Sequence, residues 1–348
     1  MKKQLYPWQN DTWRQLQQMR TSMPHAILLH GPSGIGKVAL AECFARALLC
    51  EQTLPDGHAC GQCISCGWFD NYSHPDYRRL RPEALDAADA LADDEGAGDD
   101  QVDDKASPKS KRAPSKIIRI SQVRDLAGFT NISTHRNGNR VVLLYPAETL
   151  NTESSNALLK SLEEPHPGTI FLLVSDNPES LLPTILSRCR KIALPMPSRE
   201  ESLKWLQSQG VKDAEVWLAE QGGAPLTAYD LAQNGEREEM DEFLGQLAKL
   251  SVEGALKTAE KMQKTPAMDL ISWLQRWLYD IFSLKFTGVV RYYPRYRKEL
   301  AVLAGRADAV MLLRIIKAVS ARKLIADHPL APRLFVEDML LEYMEICS

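Results

Sequence analysis

A short apolar run enters a glycine-rich loop near the start of this chain, and a helical pattern follows the loop. Residues 25–30 are mostly alanine, isoleucine and leucine, which predicts a buried parallel strand. Residues 38–49 have the composition and the period of a helix. A strand, a glycine loop and a helix in this order constrain the chain to an α/β fold whose loop can bind phosphate.

The loop itself, residues 31–38, has the sequence GPSGIGKV. It matches the phosphate-binding pattern G-x-x-x-x-G-K, but Val38 stands where the pattern requires serine or threonine. The candidate phosphate-binding residues are Gly31, Gly34, Gly36 and Lys37. Because the hydroxyl that would hold Mg²⁺ is missing, we expect weak nucleotide binding at this loop or none.

Two further apolar runs, residues 141–144 and 170–174, predict strands, and residues 152–164 between them predict a helix. Alternating strands and helices predict a parallel sheet covered on both faces. P-loop ATPases need an acidic pair at the end of a second strand, where it positions Mg²⁺ and activates water. Here Tyr145-Pro146 follows the first run, and Glu148 comes only later. We therefore do not expect this chain to hydrolyse ATP on its own.

Four of the seven cysteines lie close together after the helix of the glycine loop. They are Cys50, Cys60, Cys63 and Cys66. Their spacing, C-x9-C-x2-C-x2-C, suits a structural, tetrahedral Zn²⁺ site with no open position for water. An iron–sulfur cluster and a set of unligated thiols are the alternatives. The other three are predicted to be buried thiols: Cys43, Cys189 and Cys347.

Charge and composition exclude several classes of protein. The net charge of −3 provides no global attraction for nucleic acid, so such binding would need a local patch. No apolar run approaches the ~20 residues of a membrane helix. Residues 1–8 include lysines but lack the apolar core of a signal peptide. Together these features predict a cytoplasmic protein.

Residues 82–116 differ in composition from the rest of the chain. They combine aspartate clusters, alanine and glycine with a basic stretch rich in serine and proline, which predicts a disordered insertion. Its simplest interpretation is a solvated segment without function. Beyond residue 195 the strand signals fade, and helical patterns predict a small domain over 196–240 and a larger one over 241–348.

Arg188 follows the third strand in the segment Ser187-Arg188-Cys189. An arginine there can reach the γ-phosphate bound by a neighbouring subunit, and such a finger contributes ~10³–10⁵ in rate in well-studied enzymes. The alternative is a surface ion pair worth about 0–1 kcal/mol. Chemistry alone leaves both interpretations open.

Several motifs together resemble the AAA+ subunits of the bacterial DNA polymerase III clamp loader. They are NALLKSLEEP at 156–165, Ser-Arg-Cys at 187–189, the four-cysteine insertion, and shorter matches at 6–9, 25–26, 74–77 and 123–126. Within that family the resemblance is closest to the delta prime subunits. It covers residues 1–195 closely and the helical remainder only in outline.

The resemblance implies an AAA+ P-loop domain over residues 1–195, a lid over 196–240 and a collar over 241–348 that joins five subunits into a ring. The implied partners are ATP-hydrolysing gamma or tau type subunits, a delta type subunit and, through the complex, the sliding clamp and primer–template DNA. Arg188 would complete the ATP site of the adjacent subunit in trans. DNA-directed DNA polymerase (nucleotidyltransferase) activity would belong to the holoenzyme, not to this non-hydrolysing chain.

Two alternative functions stay open at this point. The first is a stand-alone AAA+ ATPase that uses Lys37 and an acid such as Glu148. The second is a zinc-dependent nucleic-acid-binding protein that uses the cysteines and residues 291–298, where basic and aromatic side chains alternate. The same segment fits a collar loop with packed tyrosines, which is the interpretation we favour.

Overall fold

The computed structural model describes residues 5–94, 114–130, 134, 138–234, 237–249, 251–326 and 331–347. The chain divides into two compact units, Met1–Met196 and Pro197–Ser348. In these described ranges, no helix is both long and apolar enough to cross a membrane.

The first unit contains a parallel sheet. Its strands are β1 (Ala26–His30), β2 (Tyr77–Leu80), β3 (Arg140–Leu144), β4 (Thr169–Ser175) and β5 (Arg190–Ala193). They pair in the order β2-β3-β4-β1-β5, and every pair is parallel. The strands β3 and β4 are buried throughout, and β1 nearly so, because helices cover both faces. The three strands predicted from the sequence are confirmed as β1, β3 and β4.

Helices surround this sheet. They are α1 (Asn10–Gln18), α2 (Lys37–Leu49), α3 (Ile64–Asp70), α4 (Glu83–Asp94), α5 (Ile120–Thr130), α6 (Thr152–Glu163) and α7 (Pro183–Leu186). Phe44 of α2 packs in the hydrophobic cluster on one face of the sheet. Leu158 and Leu162 of α6 pack in the cluster on the other face. The predicted α/β class and the helices at 38–49 and 152–164 are confirmed.

The strand register brings several loops to one edge of the sheet. His30 of β1 lies beside Ser175 of β4, and Leu144 of β3 lies beside Leu173 of β4. Because parallel strands end on the same side, the segments that follow β1, β3 and β4 meet there. Open α/β sheets bind their ligands at this carboxyl edge.

The prediction of disorder over residues 82–116 is wrong for its first part, which forms α4. Glu83 in the first turn accepts a hydrogen bond from the backbone N–H of Ser115 at 3.2 Å. This contact joins the start of the insertion to the point where the chain returns, an interaction that composition does not reveal. Residues 95–113 of the insertion lie outside the described residues.

In the described ranges, the second unit is built of helices. They are α8 (Arg199–Ser208), α9 (Ala214–Glu220), α10 (Pro225–Asn234), α11 (Glu238–Leu247), α12 (Val252–Lys261), α13 (Ala267–Thr287), α14 (Arg297–Arg306), α15 (Ala309–Arg322) and α16 (Pro332–Met344). A small hydrophobic cluster joins α8, α9 and α10, and a larger cluster joins α11 to α16. In the larger one, buried Trp277 donates through Nε1 to the hydroxyl of Tyr343 at 2.9 Å. A division into lid and collar near residue 240 stays a prediction.

Candidate functional site

The glycine loop connects β1 to α2. Gly31 opens it directly after β1, and a Cβ at this position would lie 2.3 Å from the carbonyl oxygen of Leu194. Gly34 and Gly36 have left-handed φ angles of 72° and 85°. A Cβ at Gly36 would also lie 2.6 Å from the ring of Tyr6. The loop therefore has the glycine-dependent backbone that the motif predicts.

Lys37 is the first residue of α2, and only 3% of its side chain is exposed. Its Nζ lies 2.5 Å from Oδ1 of Asp176, the residue directly after β4. The same Nζ donates to the carbonyl oxygen of Pro32 at 2.5 Å. At the same edge, Oε1 of Glu148 accepts the backbone N–H of Asp176 at 3.0 Å, while its buried Oε2 has no hydrogen-bond partner among the described residues. The lysine that the motif assigns to phosphate is thus paired with a carboxylate of its own chain.

The positions that would hold Mg²⁺ contain other chemistry. Val38 is half-buried and packs against the hydrophobic cluster around α2. After β3, buried Tyr145 accepts a hydrogen bond from Nη1 of buried Arg81 at 3.1 Å. Burial raises the pKa of Tyr145 although Arg81 opposes the shift, so the phenol stays neutral. Valine and arginine have no oxygen ligand, and a neutral phenol is not one of the carboxylate, phosphate or water oxygens that Mg²⁺ usually binds.

Arg188 lies between α7 and β5. Buried Ile185 and Cys189 anchor the segment on either side of it. Its Nη2 lies 2.6 Å from Oε1 of Glu163 on α6, and its Nη1 donates to the carbonyl oxygen of Thr184 at 2.9 Å. The side chain nevertheless remains 33% exposed. The guanidinium is oriented by its own chain and still accessible from outside it.

The four predicted metal-binding cysteines come together after α2. Their sulfur atoms all lie within 4.8 Å of one another. Sγ of Cys50 lies 3.6 Å from Sγ of Cys60 and 3.9 Å from Sγ of Cys63. Four sulfurs bound at 2.3 Å around one tetrahedral metal ion are about 3.8 Å apart. The cluster therefore has the geometry to hold a metal ion.

Backbone donors surround the sulfur atoms of this cluster. The N–H groups of Gln62 and Cys63 donate to Sγ of Cys60 at 3.5 and 3.4 Å, and they lower the pKa of Cys60 to about 6. Burial instead raises the pKa of Cys50 and of Cys66. A metal binds thiolates, so it would replace the protons of these two thiols.

The remaining cysteines have the role predicted for them where the structure describes them. Cys43 and Cys189 are buried, and every cysteine whose side chain is described is a free thiol. Burial raises the pKa of Cys189 to about 11, which makes this thiol a poor nucleophile. The side chain of Cys347 lies outside the described part.

The basic and aromatic segment 291–298 connects α13 to α14. Buried Asp280 accepts the backbone N–H groups of residues 291 to 293 at 2.7–3.1 Å. Tyr293 is fully buried beside Trp277, and the hydroxyl of Tyr296 donates to the backbone oxygen of Asp241 at 3.2 Å. Since these tyrosines pack within their own unit, they are poorly placed to stack on bases. This favours the structural interpretation of the segment over nucleic-acid binding.

Comparisons with known proteins cover both units. A family model described as DNA polymerase III, delta subunit, matches residues 8–198, and one described as its C-terminal part matches residues 236–345. The chain is 39% identical over 289 residues to DNA polymerase III subunit delta′ of Pseudomonas aeruginosa, covering 81% of this chain and 79% of that protein. The corresponding protein of Haemophilus influenzae is 32% identical over 345 residues, covering 97% and 95%. The chain belongs to the DNA polymerase III delta prime family. The predicted resemblance is confirmed.

Solved structures resemble this delta prime family member more loosely. A gamma subunit-related protein of Thermotoga maritima has a TM-score of 0.41 and 16% identity, covering 98% of this chain and 100% of that one. A RuvB protein of the same organism has a TM-score of 0.36 and 14% identity, covering 97% and 84%. The fold is defined by the sheet order and the helices of this chain itself.

Three side chains of the site were missed by sequence reasoning. Asp176 pairs with Lys37, Arg81 donates to the hydroxyl of Tyr145 after β3, and Glu163 orients Arg188. The sequence offered a signal for one of them: Asp176 is a charged residue directly after a buried strand, at the sheet edge where the glycine loop lies. Glu163 also stands inside the motif at 156–165, where its role as a partner of arginine has no signature of its own.

Proposed function

We propose that this chain is a non-hydrolysing delta prime subunit of the DNA polymerase III clamp loader, and that it acts in the cytoplasm during replication. Family membership across both units is the observation that carries this role. Val38 and the Tyr145–Arg81 pair support the lack of hydrolysis, because neither position offers a metal ligand. Nucleotide addition belongs to the holoenzyme, since the sequence of this chain has no recognisable set of carboxylates for two-metal catalysis.

The proposed partners are the other clamp-loader subunits. We place the chain in a pentameric ring with gamma or tau type and delta type subunits. The sliding clamp and primer–template DNA are reached through the complex, in agreement with the net charge of −3 and with the packed tyrosines of residues 291–298.

Within this ring, Arg188 is proposed to act as an arginine finger for the ATP site of a neighbouring subunit. Two features support the proposal: the guanidinium is held at defined contacts to Glu163 and Thr184, and a third of the side chain stays exposed. A preoriented cation stabilises charge that develops on transferring phosphate without reorganising during the reaction.

The experiment is the ATPase rate of the reconstituted ring with clamp and primed DNA, comparing wild type with Arg188→Ala. We expect a loss of ~10³-fold or more, the lower end of known finger effects, with ring assembly intact. Arg190→Ala removes an exposed arginine two residues away and serves as the matched control. An unchanged rate in Arg188→Ala would leave the chain a scaffold only.

The purified chain alone separates this role from a stand-alone ATPase. We expect no ATP hydrolysis above the buffer background, with or without Mg²⁺. Turnover that disappears in Lys37→Ala would favour the stand-alone enzyme instead.

We further propose that the four clustered cysteines bind one structural Zn²⁺. The tetrahedral sulfur spacing supports zinc, and all four ligands come from protein, so no position is open for a substrate. When bound, the ion would crosslink the segment between α2 and α3.

Elemental analysis of protein purified without chelator tests this directly. We expect about one zinc per chain, and loss of that zinc in Cys63→Ser but not in Cys43→Ser, which alters a buried thiol outside the cluster. Iron in place of zinc would indicate a cluster of another kind, and no metal at all would contradict the proposal.

A further inference from the structure

The carboxyl edge of the sheet contains an anion that belongs to the protein. Asp176 lies there because it directly follows β4, whose last residue, Ser175, pairs with His30 at the end of β1. The glycine loop begins at the next residue after His30. Asp176 and the glycine loop are far apart in the sequence, and the pairing of β1 with β4 brings them together.

The contact between Asp176 and Lys37 has the geometry of a strong ion pair. The two charged atoms are 2.5 Å apart, the lysine side chain is 3% exposed, and the aspartate is 46% exposed. A buried ammonium needs a compensating anion, because leaving it unpaired costs several kcal/mol. The Glu148 carboxylate that accepts the N–H of Asp176 fixes the backbone from which this anion projects.

In a working phosphate loop, the lysine ammonium binds phosphate oxygens. Here a carboxylate oxygen of Asp176 and the carbonyl oxygen of Pro32 already take two of its three hydrogen bonds. An incoming phosphate would either displace Asp176 or bring a second anion next to it. Both routes lower affinity, the first through the lost ion pair and the second through repulsion between like charges.

We propose that Asp176 is an internal substitute for phosphate that keeps the loop of this chain closed to nucleotides. The loss of the hydroxyl at Val38 removes the metal, whereas Asp176 blocks the phosphate itself, so the two act on different parts of the nucleotide complex. The inference deepens the proposed non-hydrolysing role, and it concerns Lys37 and not the outward-facing Arg188. The ligand class is a nucleoside triphosphate or any compound with a diphosphate group.

The test is equilibrium binding of ATP to the full-length chain by titration calorimetry, in EDTA and in Mg²⁺. Asp176→Asn keeps the size of the side chain and removes its charge, so we expect at least a tenfold gain in ATP affinity over wild type. The gain should vanish in the double variant with Lys37→Ala. Asp176→Asn should not hydrolyse the ATP that it binds, because the metal positions stay unchanged.

Glu179→Gln is the matched control, since it removes one exposed carboxylate from the same segment after β4. Equal gains in both variants would assign the effect to net charge and overturn the proposal. No gain in Asp176→Asn, or tight ATP binding by wild type, would overturn it as well. If thermal melting shows that Asp176→Asn is unfolded, Asp176→Ser is measured by the same criteria.

These outcomes are independent of the ring assay. A failed gain in Asp176→Asn with a strong effect of Arg188→Ala would reject the closed loop and keep the finger. The opposite pattern would keep the closed loop and reject the finger.

Discussion

Lys37 and Arg188 are cations of the same α/β unit, and each is paired with a carboxylate, yet their environments differ. Lys37 is 3% exposed and is bound by Asp176 and by the carbonyl of Pro32 at the carboxyl edge of the sheet. Arg188 is 33% exposed and is bound by Glu163, itself 47% exposed. Lys37 is bound by groups of its own chain and shielded from solvent, whereas the guanidinium of Arg188 is accessible to an anion from outside the chain.

The physical reason for the difference is desolvation. The two carboxylates are about equally exposed, so the difference lies in the cations: without Asp176, the ammonium of Lys37 would remain unpaired in a low-dielectric site, which is costly. A surface pair contributes about 0–1 kcal/mol and exchanges readily with another anion. If both proposals hold, the chain retains the phosphate-loop lysine without using it for nucleotide, while the surface arginine acts on a neighbouring subunit.

The largest effect that would sharpen this comparison is expected for Arg188→Lys. Lysine keeps the charge but loses the planar fork that binds two phosphate oxygens at once. We expect the ATPase rate of the reconstituted ring to fall about 10²-fold, part of the ~10³–10⁵ that a finger supplies. A rate equal to wild type would mean that charge alone suffices and that the contacts to Glu163 and Thr184 are incidental.

The next effect concerns the loop that holds Lys37. Gly31→Ala would place a Cβ 2.3 Å from the backbone oxygen of Leu194, and we expect a loss of about 1–3 kcal/mol in unfolding free energy. Urea unfolding measures it. Gly128→Ala in α5 has open space around its Cβ and should be neutral or stabilising by up to ~1 kcal/mol. Equal stability of both variants would contradict the tight packing of the loop.

A smaller effect is expected at the partner of Arg188. Glu163→Gln keeps the shape of the side chain and weakens its ion pair with Arg188. The free energy that holds the guanidinium in place should fall by at most about 1 kcal/mol, which corresponds to roughly a fivefold fall in the ATPase rate of the ring. The measurement is kcat at saturating ATP, with Glu164→Gln as the control for charge. A loss as large as that of Arg188→Ala would contradict the view that Glu163 only positions Arg188.

The smallest effect is a pH dependence on the Lys37 side. Burial, then the charges of Lys191 and Lys37, lower the pKa of His30 from its ordinary value of 6.5. Between the lowered pKa and 6.5 the unfolded chain binds more protons, so this stability contribution is present above pH 6.5 and is lost as the pH falls. Urea unfolding at pH 7.5 and 5.5 should show a smaller change in His30→Gln than in wild type. Identical changes in the two proteins would mean that His30 does not contribute to the pH dependence of the unfolding free energy.

The sequence predicted the parts of the fold that depend on local pattern. The apolar runs that became β1, β3 and β4 are short and bounded, and the glycines at 31, 34 and 36 require a special backbone. The cysteine spacing likewise brings four thiols together over a short stretch, since nearby residues need little of the fold to meet. Arg188 was found by its motif, and its position between two buried anchors agrees with an outward role.

Other parts were missed for identifiable reasons. The helix α4 was hidden by an acidic composition, although Glu83 bonds to Ser115 on the far side of the insertion. For residues 291–298 the sequence favoured packing but left base stacking open, because tyrosine has the chemistry for both. Only burial separates the two uses.

By itself, the sequence determined the α/β class, the glycine loop, the cysteine cluster and the absence of metal ligands at Val38 and after β3. Each of these is a matter of which residue types stand at which spacing. Only the tertiary structure decided that Asp176 neutralises Lys37 and that Glu163 holds Arg188 near the surface. Those pairings join residues that are distant along the chain, and sheet register and helix packing bring them within bonding distance; burial then sets whether each charge remains available.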